Sequence, residues 1–187
     1  NKGSGSYVNC SNVFSGIGLL DQIDERNLGF SDSARALGDR QIDAYCSAGT
    51  PFTIPALTEL SINKPVRYIS MTAEEQKAVI GTNPFYAAVT IPVQSEVKGM
   101  DAPALTIGYD VFWMVNKSLS DEAVYKILAV VDEPGNMKQL AATAAYWKTL
   151  TGDFSALEPL GINVHPAAAK YWREKGASVP EAIVKGY

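Results

Sequence analysis

The sequence predicts an α/β fold, in which a parallel layer of strands alternates with helices. Two observations support this prediction. Short apolar runs at residues 42–47 and 66–71 each lie between helical patterns, so the chain alternates between helix and strand. A chain of 187 residues with 47% apolar residues is also long enough to bury a core. In a parallel layer, ligands bind beyond the carboxyl ends of the strands.

The first element is a glycine-serine loop, residues 2–6, which opens an amphipathic helix running to Leu20. Ser6 is its predicted N-cap, because a serine hydroxyl accepts a hydrogen bond from a first-turn amide. The free amides of a helix start and the positive end of its dipole favour a carboxylate or phosphate. The stretch therefore predicts an anion site, and the alternative is a capped surface loop that binds nothing.

A helix, a strand and a second helix are predicted next. Residues 31–39 have the pattern of a short helix capped by Ser31, and the apolar strand 42–47 follows directly. Thr50 and Pro51 are then the predicted N-cap and first residue of a helix that runs to about residue 60. The loop after the strand therefore lies at the carboxyl edge of the predicted layer.

The next predicted strand, residues 66–71, also leads into a helix. Thr72 and Glu75 have the spacing of a capping box, in which each side chain bonds a backbone amide of the other residue. From residue 83 to 103, prolines and glycines interrupt the pattern, which is typical of a connector. We therefore place the domain boundary in this stretch, near residue 95.

The second half of the chain is predicted to be one strand followed by helices. Apolar residues alternate over 104–116, which indicates a strand. Pro134 and Gly135 are expected to break the helix that Ser120 caps. Helices are predicted after Ser120, around Leu140 to Trp147, and from Pro166 to Gly176, with a short tail at 179–187.

Composition excludes several classes of partner. The formal charge is -4, and the 16 lysines and arginines are scattered, so a nucleic-acid partner is not expected. No apolar run approaches the roughly 18 to 20 residues of a membrane span, so direct membrane insertion is not expected either. One histidine and two cysteines without a CxxC motif argue against a metal site.

The glycine-serine loop completes neither nucleotide-binding motif. Val8 occupies the position of the third glycine of G-x-G-x-x-G, and no G-K-[ST] of a P-loop follows. No cofactor is therefore expected. Cys10 and Cys46 leave two alternatives, a disulfide in an oxidising compartment or two buried free thiols, and we favour the thiols because free cysteine is so often simply buried.

Candidate catalytic residues are isolated from one another. His165, the single histidine, precedes a proline at a helix start, which is typical of a cap or packing residue. Asp43 and Asp110 have no acidic partner at a useful spacing, and no G-x-S-x-G motif is present. We therefore expect a binding protein with no catalytic residues.

Four stretches together resemble the TAXI family, the solute receptors that serve TRAP-type transporters. Singly each is a weak signal, but in this order they span nearly the whole chain. They are Gly3-Ser4-Gly5-Ser6, where the family usually has G-S-G-T; Ala34-Arg35-Ala36-Leu37 through Gln41-Ile42-Asp43-Ala44 to Gly49-x-Pro51; Asn83-Pro84-Phe85-Tyr86 with Thr90-Ile91-Pro92; and His165-Pro166-Ala167-Ala168 with Tyr171-Trp172-Arg173-Glu174-Lys175-Gly176.

The resemblance implies a two-lobed periplasmic binding protein-like fold of type II. Residues 1–95 would form the second ligand-binding lobe, and residues 96–187 a connector and a C-terminal segment that returns to the first lobe. The match begins where the family's second lobe begins, so the N-terminal portion of the first lobe is expected to be missing. The implied function is a periplasmic (extracytoplasmic) receptor that binds a small anionic solute, such as an amino acid or dicarboxylate, and meets the membrane subunits of a TRAP transporter.

The expected ligand-binding residues lie in two loops and at one tyrosine. Two alternatives to a receptor stay open: an α/β enzyme of transferase type that uses the glycine-serine loop as a phosphate cradle, and a non-binding fragment that acts as an assembly module. The predicted ligand-binding residues are Ser4, Gly5, Ser6, Tyr7, Ser47, Ala48, Gly49, Thr50 and Tyr86.

Overall fold

The computed structural model describes residues 2–49 and 54–185, and the chain forms two compact units, Asn1–Tyr109 and Asp110–Tyr187. The first unit contains α1 (Gly5–Gly16), a 3₁₀ turn (Leu20–Gln22), α2 (Phe30–Gly38), α3 (Pro55–Asn63), α4 (Ala73–Gly81), β1 (Ala87–Ile91) and β2 (Ala104–Gly108). The second unit contains α5 (Asp121–Val131), α6 (Pro134–Thr143), a 3₁₀ turn (Ala145–Thr149), α7 (Pro166–Glu174) and α8 (Glu181–Lys185).

Helices and strands are therefore mixed, as the α/β prediction requires, but the sheet differs from the predicted one. β1 and β2 pair antiparallel, with Ala87 opposite Gly108 and Ile91 opposite Ala104. Residues 42–47 and 66–71 are not strands, so the predicted parallel layer is wrong for the part of the chain that the structure describes. A hairpin takes its place, because its two strands are joined locally and pair without a crossover helix.

Residues 66–71 do run beside β2 without becoming a third strand. The Met71 amide donates to the Leu105 carbonyl at 3.0 Å. The Leu105 amide donates to the Ser70 hydroxyl at 2.9 Å rather than to a backbone carbonyl. The serine side chain therefore takes the donor that a strand ladder would have used.

The strand predicted over 104–116 ends at Gly108. Its partner β1 has five residues, and the pairing register ends where Ala87 meets Gly108. Beyond that point the apolar alternation has no partner strand, and Val111 and Met114 are 77% and 81% exposed. Alternation of apolar residues alone did not predict where the ladder ends.

The helix α4 lies against both α1 and the hairpin. The Gln76 side-chain amide donates to the Val89 carbonyl at 3.2 Å and to the Thr106 carbonyl at 2.6 Å, so it bonds both strands. On the side of α1, Val79 is fully buried, and a Cβ added at Gly16 would lie 3.1 Å from its Cγ2. Gly16 therefore permits the close approach of α1 and α4.

Several helix starts follow the predicted chemistry. The capping box of Thr72 and Glu75 is present at the start of α4, and Ser120 caps α5. The helix that Ser120 caps ends at Val131, before Pro134, as predicted. Pro134 is also the first residue of the next helix, α6, a position where its missing amide costs nothing. The helix start predicted at Thr50 and Pro51 lies outside the described residues, and α3 is described from Pro55.

Each unit has a small apolar cluster of its own. In the first unit, three buried residues, Val97, Met100 and Ala104, lie in the β1–β2 connection and at the start of β2. They pack against Val66 and Tyr68 of residues 66–71 and against Ile91 of β1. In the second unit, the buried cluster consists of Leu157, Val164, Ala169, Val179 and Ile183. Residue 95 lies in the connection between β1 and β2, and the assignment of lobes on either side of it stays a prediction.

Cys10 and Cys46 form a disulfide, so the favoured expectation of two free thiols is wrong. The bond joins α1 to the segment after α2 across 36 residues of sequence, with the two Cα atoms 6.1 Å apart. Closing a loop of this length stabilises a fold by about 3 to 5 kcal/mol in the chain-entropy model. A disulfide of this kind is typical of proteins that fold in an oxidising compartment.

Every helix within residues 2–49 and 54–185 is too short or too polar to span a lipid bilayer.

Candidate functional site

The start of α1 is capped by Ser4, two residues earlier than predicted. Ser4 has an extended backbone, with φ -82° and ψ 155°, and its hydroxyl accepts a hydrogen bond from the Tyr7 amide at 3.2 Å. Ser6 is the second residue of the helix and not its N-cap. The Ser6 hydroxyl is therefore not used for capping.

Two amides at this helix start are available to a ligand. The Tyr7 and Val8 amides bond to the Ser4 hydroxyl and carbonyl. Within the described part of the chain, the Gly5 and Ser6 amides have no acceptor, and the first turn carries no acidic residue. The helix dipole is therefore not neutralised locally, which favours an anion at this point.

The second predicted loop meets α1 at Ser6. The Ala48 amide donates to the Ser6 hydroxyl oxygen at 3.4 Å, and the Ser47 hydroxyl donates to the Ala48 carbonyl at 3.3 Å. The two loops predicted to share a site are thus brought together, and Gly49 follows at the exposed end. Thr50 lies outside the described residues, so its predicted role stays a prediction.

Tyr86 contacts α1 through its hydroxyl. That hydroxyl donates to the Asn9 side-chain oxygen at 2.5 Å and accepts from the Asn12 side-chain amide at 2.9 Å. The ring is buried, and the Tyr109 ring lies 6.4 Å away, centroid to centroid. The predicted role of Tyr86 as a solute contact stays a prediction, and its observed bonds hold α1 in place.

Burial also acts on two other tyrosines near α1. Burial raises the pKa of Tyr109, and a hydrogen bond with Asn9 lowers it in part, while the charge of Tyr86 raises it. Burial likewise raises the pKa of Tyr45, and the Ser47 side chain lowers it in part. Both phenols are therefore neutral near pH 7 and add no negative charge that would oppose an anion.

An open groove of about 530 Å³ runs along another face of α1. It begins at Tyr7, which is the one predicted site residue among its described lining residues. Its size is within the range of sites for small ligands. Its lining mixes hydroxyl, amide, carboxylate and apolar groups, from Tyr7, Val8, Ser11, Asn12, Leu20, Ile23 and Glu25.

Sequence reasoning missed the asparagines and the groove. Asn9 and Asn12 are three residues apart, so they lie on one face of α1 and can both reach a single hydroxyl. That spacing can be seen in the sequence, but no nearby residue indicates that the partner is Tyr86, which is 74 and 77 residues away. Leu20, Ile23 and Glu25 could not have been assigned to a groove without the turn that follows α1.

His165, one of the candidate catalytic residues, is held by contacts with two backbone groups. Both nitrogens of His165 are engaged: Nδ1 accepts from the Ala167 amide at 3.2 Å, and Nε2 lies 3.0 Å from the Leu119 carbonyl. Over residues 2–49 and 54–185, no group of three or more His, Cys, Asp or Glu side chains could hold a metal ion. The groups gathered at α1 are hydrogen-bond donors and acceptors, which suit binding.

The comparison with known families agrees with a binding role. A family model described as the NMT1-like family matches residues 1–176, which include all of the first unit and most of the second. Proteins of this kind are binding proteins and typically extracytoplasmic. The chain therefore belongs to the NMT1-like family, a periplasmic binding protein-like family of solute receptors.

Proposed function

We propose that this chain is the solute-binding part of an extracytoplasmic receptor of the TAXI type, which hands a small anionic solute to the membrane subunits of a TRAP transporter. Family membership supports the receptor role. The four stretches that resemble the TAXI family support the transporter type. The disulfide between Cys10 and Cys46 supports a periplasmic location, because such bonds persist in oxidising compartments.

The meeting of the two loops at Ser6 is the observation that carries the proposal. A solute carboxylate would accept hydrogen bonds from the Gly5 and Ser6 amides and from the Ser6 hydroxyl. The hydroxyl can do this while its oxygen accepts from the Ala48 amide, since a hydroxyl both donates and accepts. Each bond to a charged group contributes about 1.5 to 3 kcal/mol, and the helix dipole about 0.3 to 1 kcal/mol.

The groove along α1 would receive the rest of the solute. Among the described residues that line it, Glu25 is the acidic one, and Tyr7 connects the groove to the helix start. A carboxylate at this place attracts an ammonium group and repels a second carboxylate. Between the two solute classes that the resemblance implies, the groove therefore favours an amino acid over a dicarboxylate.

Isothermal titration with L-glutamine and succinate tests the proposal. We expect L-glutamine to bind, and Ser6→Ala to weaken that binding tenfold or more, since a charged hydrogen bond is lost. Ser15→Ala, which removes an exposed hydroxyl farther along the same helix, is the matched control and should not change the affinity. Equal affinity in Ser6→Ala and the unaltered chain would contradict the proposed role of Ser6.

Glu25→Gln tests the preference between solute classes. Because the variant removes the negative charge from the groove, it should weaken the binding of L-glutamine and strengthen the binding of succinate. Equal changes for both solutes would show that Glu25 does not contact the part of the solute in which they differ.

A further inference from the structure

The segment that carries the second loop has little structure of its own. Residues 39–49 contain no helix or strand, and most of their side chains are exposed or half-buried. In the part of the chain that the structure describes, a disulfide between Cys10 and Cys46 and a hydrogen bond from the Ala48 amide to the Ser6 hydroxyl join this segment to α1. The position of the loop therefore depends on contacts with α1.

The two contacts are separated by nearly the same distance along α1 as along the segment. Ser6 and Cys10 are four residues apart, so they lie on one face of α1, about one turn or roughly 6 Å from each other. Cys46 and Ala48 are two residues apart, which in an extended chain is roughly 6.6 Å. The lower-numbered residue on one side contacts the higher-numbered residue on the other, so the segment runs antiparallel to the helix.

This direction carries the chain from the disulfide towards the start of α1. After Cys46, the next residues pass Ser6 and arrive at the Gly5 and Ser6 amides, which have no acceptor among residues 2–49 and 54–185. We infer that the Cys10–Cys46 disulfide positions residues 47–49 at the start of α1, so that the solute site is assembled only in the oxidised chain. The consequence for solute binding rests on the proposed function, whereas the positioning does not.

The disulfide, rather than the hydrogen bond, must be the dominant contact. A neutral hydrogen bond at 3.4 Å is long and weak, and its net contribution is small. Ordering three residues that have no secondary structure costs more conformational entropy than one such bond offsets. The disulfide can offset this entropy cost, because a covalent bond does not open without reduction.

NMR on the oxidised chain and on the double variant Cys10→Ser/Cys46→Ser tests the positioning. In the oxidised chain we expect a nuclear Overhauser effect between the Ser6 β protons and the Ala48 amide, and an ordered backbone at residues 47–49. In the double variant this contact should disappear, while the Val79 amide in α4 still reports a folded first unit. Retention of the Ser6–Ala48 contact in the folded double variant would overturn the inference.

Two further variants separate positioning from stability. Thr72→Ala removes the cap of α4 and destabilises the same unit without touching the segment, so it should keep the Ser6–Ala48 contact. Ser6→Ala removes the hydrogen bond but keeps the disulfide, so the β protons of residue 6 should still contact the Ala48 amide. Loss of that contact in Ser6→Ala would show that the hydrogen bond positions the loop, and this result does not depend on whether the double cysteine variant folds.

Titration of L-glutamine into the oxidised chain and the double variant tests the consequence for binding. We expect the double variant to bind at least tenfold more weakly, and Thr72→Ala to bind as the unaltered chain does. If the oxidised chain itself binds no L-glutamine, the proposed solute fails while the NMR contacts still decide the positioning. Equal affinity in the folded double variant and the oxidised chain would contradict the inference.

Discussion

The Tyr86 hydroxyl donates a hydrogen bond to the Asn9 side-chain oxygen at 2.5 Å, across 77 residues of sequence. It also accepts one from the Asn12 side-chain amide at 2.9 Å. Tyr86 lies immediately before β1, and its hydroxyl uses both its donor and an acceptor lone pair on one face of α1. These two bonds hold the helix that carries the candidate solute site against the hairpin.

Replacing Tyr86 by Phe should destabilise the chain by about 1 to 3 kcal/mol. The ring and its packing stay, but a donor and an acceptor on the two asparagines lose their partner in a partly buried place. Urea unfolding followed by circular dichroism measures the difference. Tyr146→Phe is the control, since Tyr146 is exposed, and it should change stability by less than about 0.5 kcal/mol. Equal stabilities in the two variants would contradict the role given to the hydroxyl.

His165 is predicted to be a structural cap and connector of the second unit. Its ring is buried, its Nδ1 accepts from the Ala167 amide, and its Nε2 hydrogen is directed to the Leu119 carbonyl. His165→Ala loses both bonds and should cost about 1 to 3 kcal/mol of unfolding free energy. His165→Asn keeps a good cap but loses the bond to Leu119, so it should cost about 1 kcal/mol less. Equal losses in the two variants would show that capping contributes nothing here.

Local chemistry predicted the starts of several helices well. The capping box of Thr72 and Glu75 and the cap of Ser120 act within four residues, and such short-range bonds can be predicted from sequence spacing. The start of α1 shows the limit, because Ser4 and Ser6 are both competent caps. Which serine caps depends on where the helix begins, and the prediction of Ser6 was wrong because the helix begins two residues earlier, with Ser4 as its cap.

Long-range partners could not be predicted from the sequence. The apolar run 66–71 has the composition of a strand, but a strand needs a partner, and here the Ser70 hydroxyl takes the Leu105 amide instead. The same is true of Cys10 and Cys46, since cysteines 36 residues apart pair only if the fold brings them together. The candidate site was predicted as two loops, but their contact at Ser6 required the structure.

Asp132 should contribute to the free energy of unfolding, and we expect this contribution to decrease at acidic pH. A hydrogen bond from the Tyr171 hydroxyl, and after it one from Lys175, hold the pKa of Asp132 below its ordinary value of 3.8. Because the folded pKa is the lower one, the stabilisation is complete above about pH 4 and is lost as the pH falls through the folded value. Urea unfolding of the chain and of Asp132→Asn between about pH 2 and pH 7 measures it, and the variant should show a smaller acid loss.

Tyr171→Phe is the matched variant for this prediction, because it keeps the carboxylate but removes its strongest hydrogen bond. It should also show a smaller acid loss than the unaltered chain. At the alkaline end, hydrogen bonding to Asp132 raises the pKa of Lys175 above its ordinary 10.5, so that this stabilisation is complete below about pH 10 and is lost as the pH rises through the folded pKa of Lys175. Acid curves that run parallel in all three proteins would contradict the role of Asp132.

Gly99 and Gly81 should respond in opposite directions to replacement by alanine. Gly99 has a φ of +94°, and a Cβ there would lie 2.6 Å from the Val66 carbonyl oxygen and 3.0 Å from the Val66 nitrogen. Both are backbone atoms that cannot rotate away, and the Val66 amide already bonds the Lys98 carbonyl at 2.9 Å. Gly99→Ala must therefore shift the connection between the strands and should cost about 2 kcal/mol or more.

Gly81 ends α4 with an ordinary φ and open space around it, so Gly81→Ala should stabilise by about 0.4 to 1 kcal/mol. Urea midpoints of the two variants measured side by side test this, and a Gly99→Ala chain as stable as Gly81→Ala would contradict the close approach at Val66.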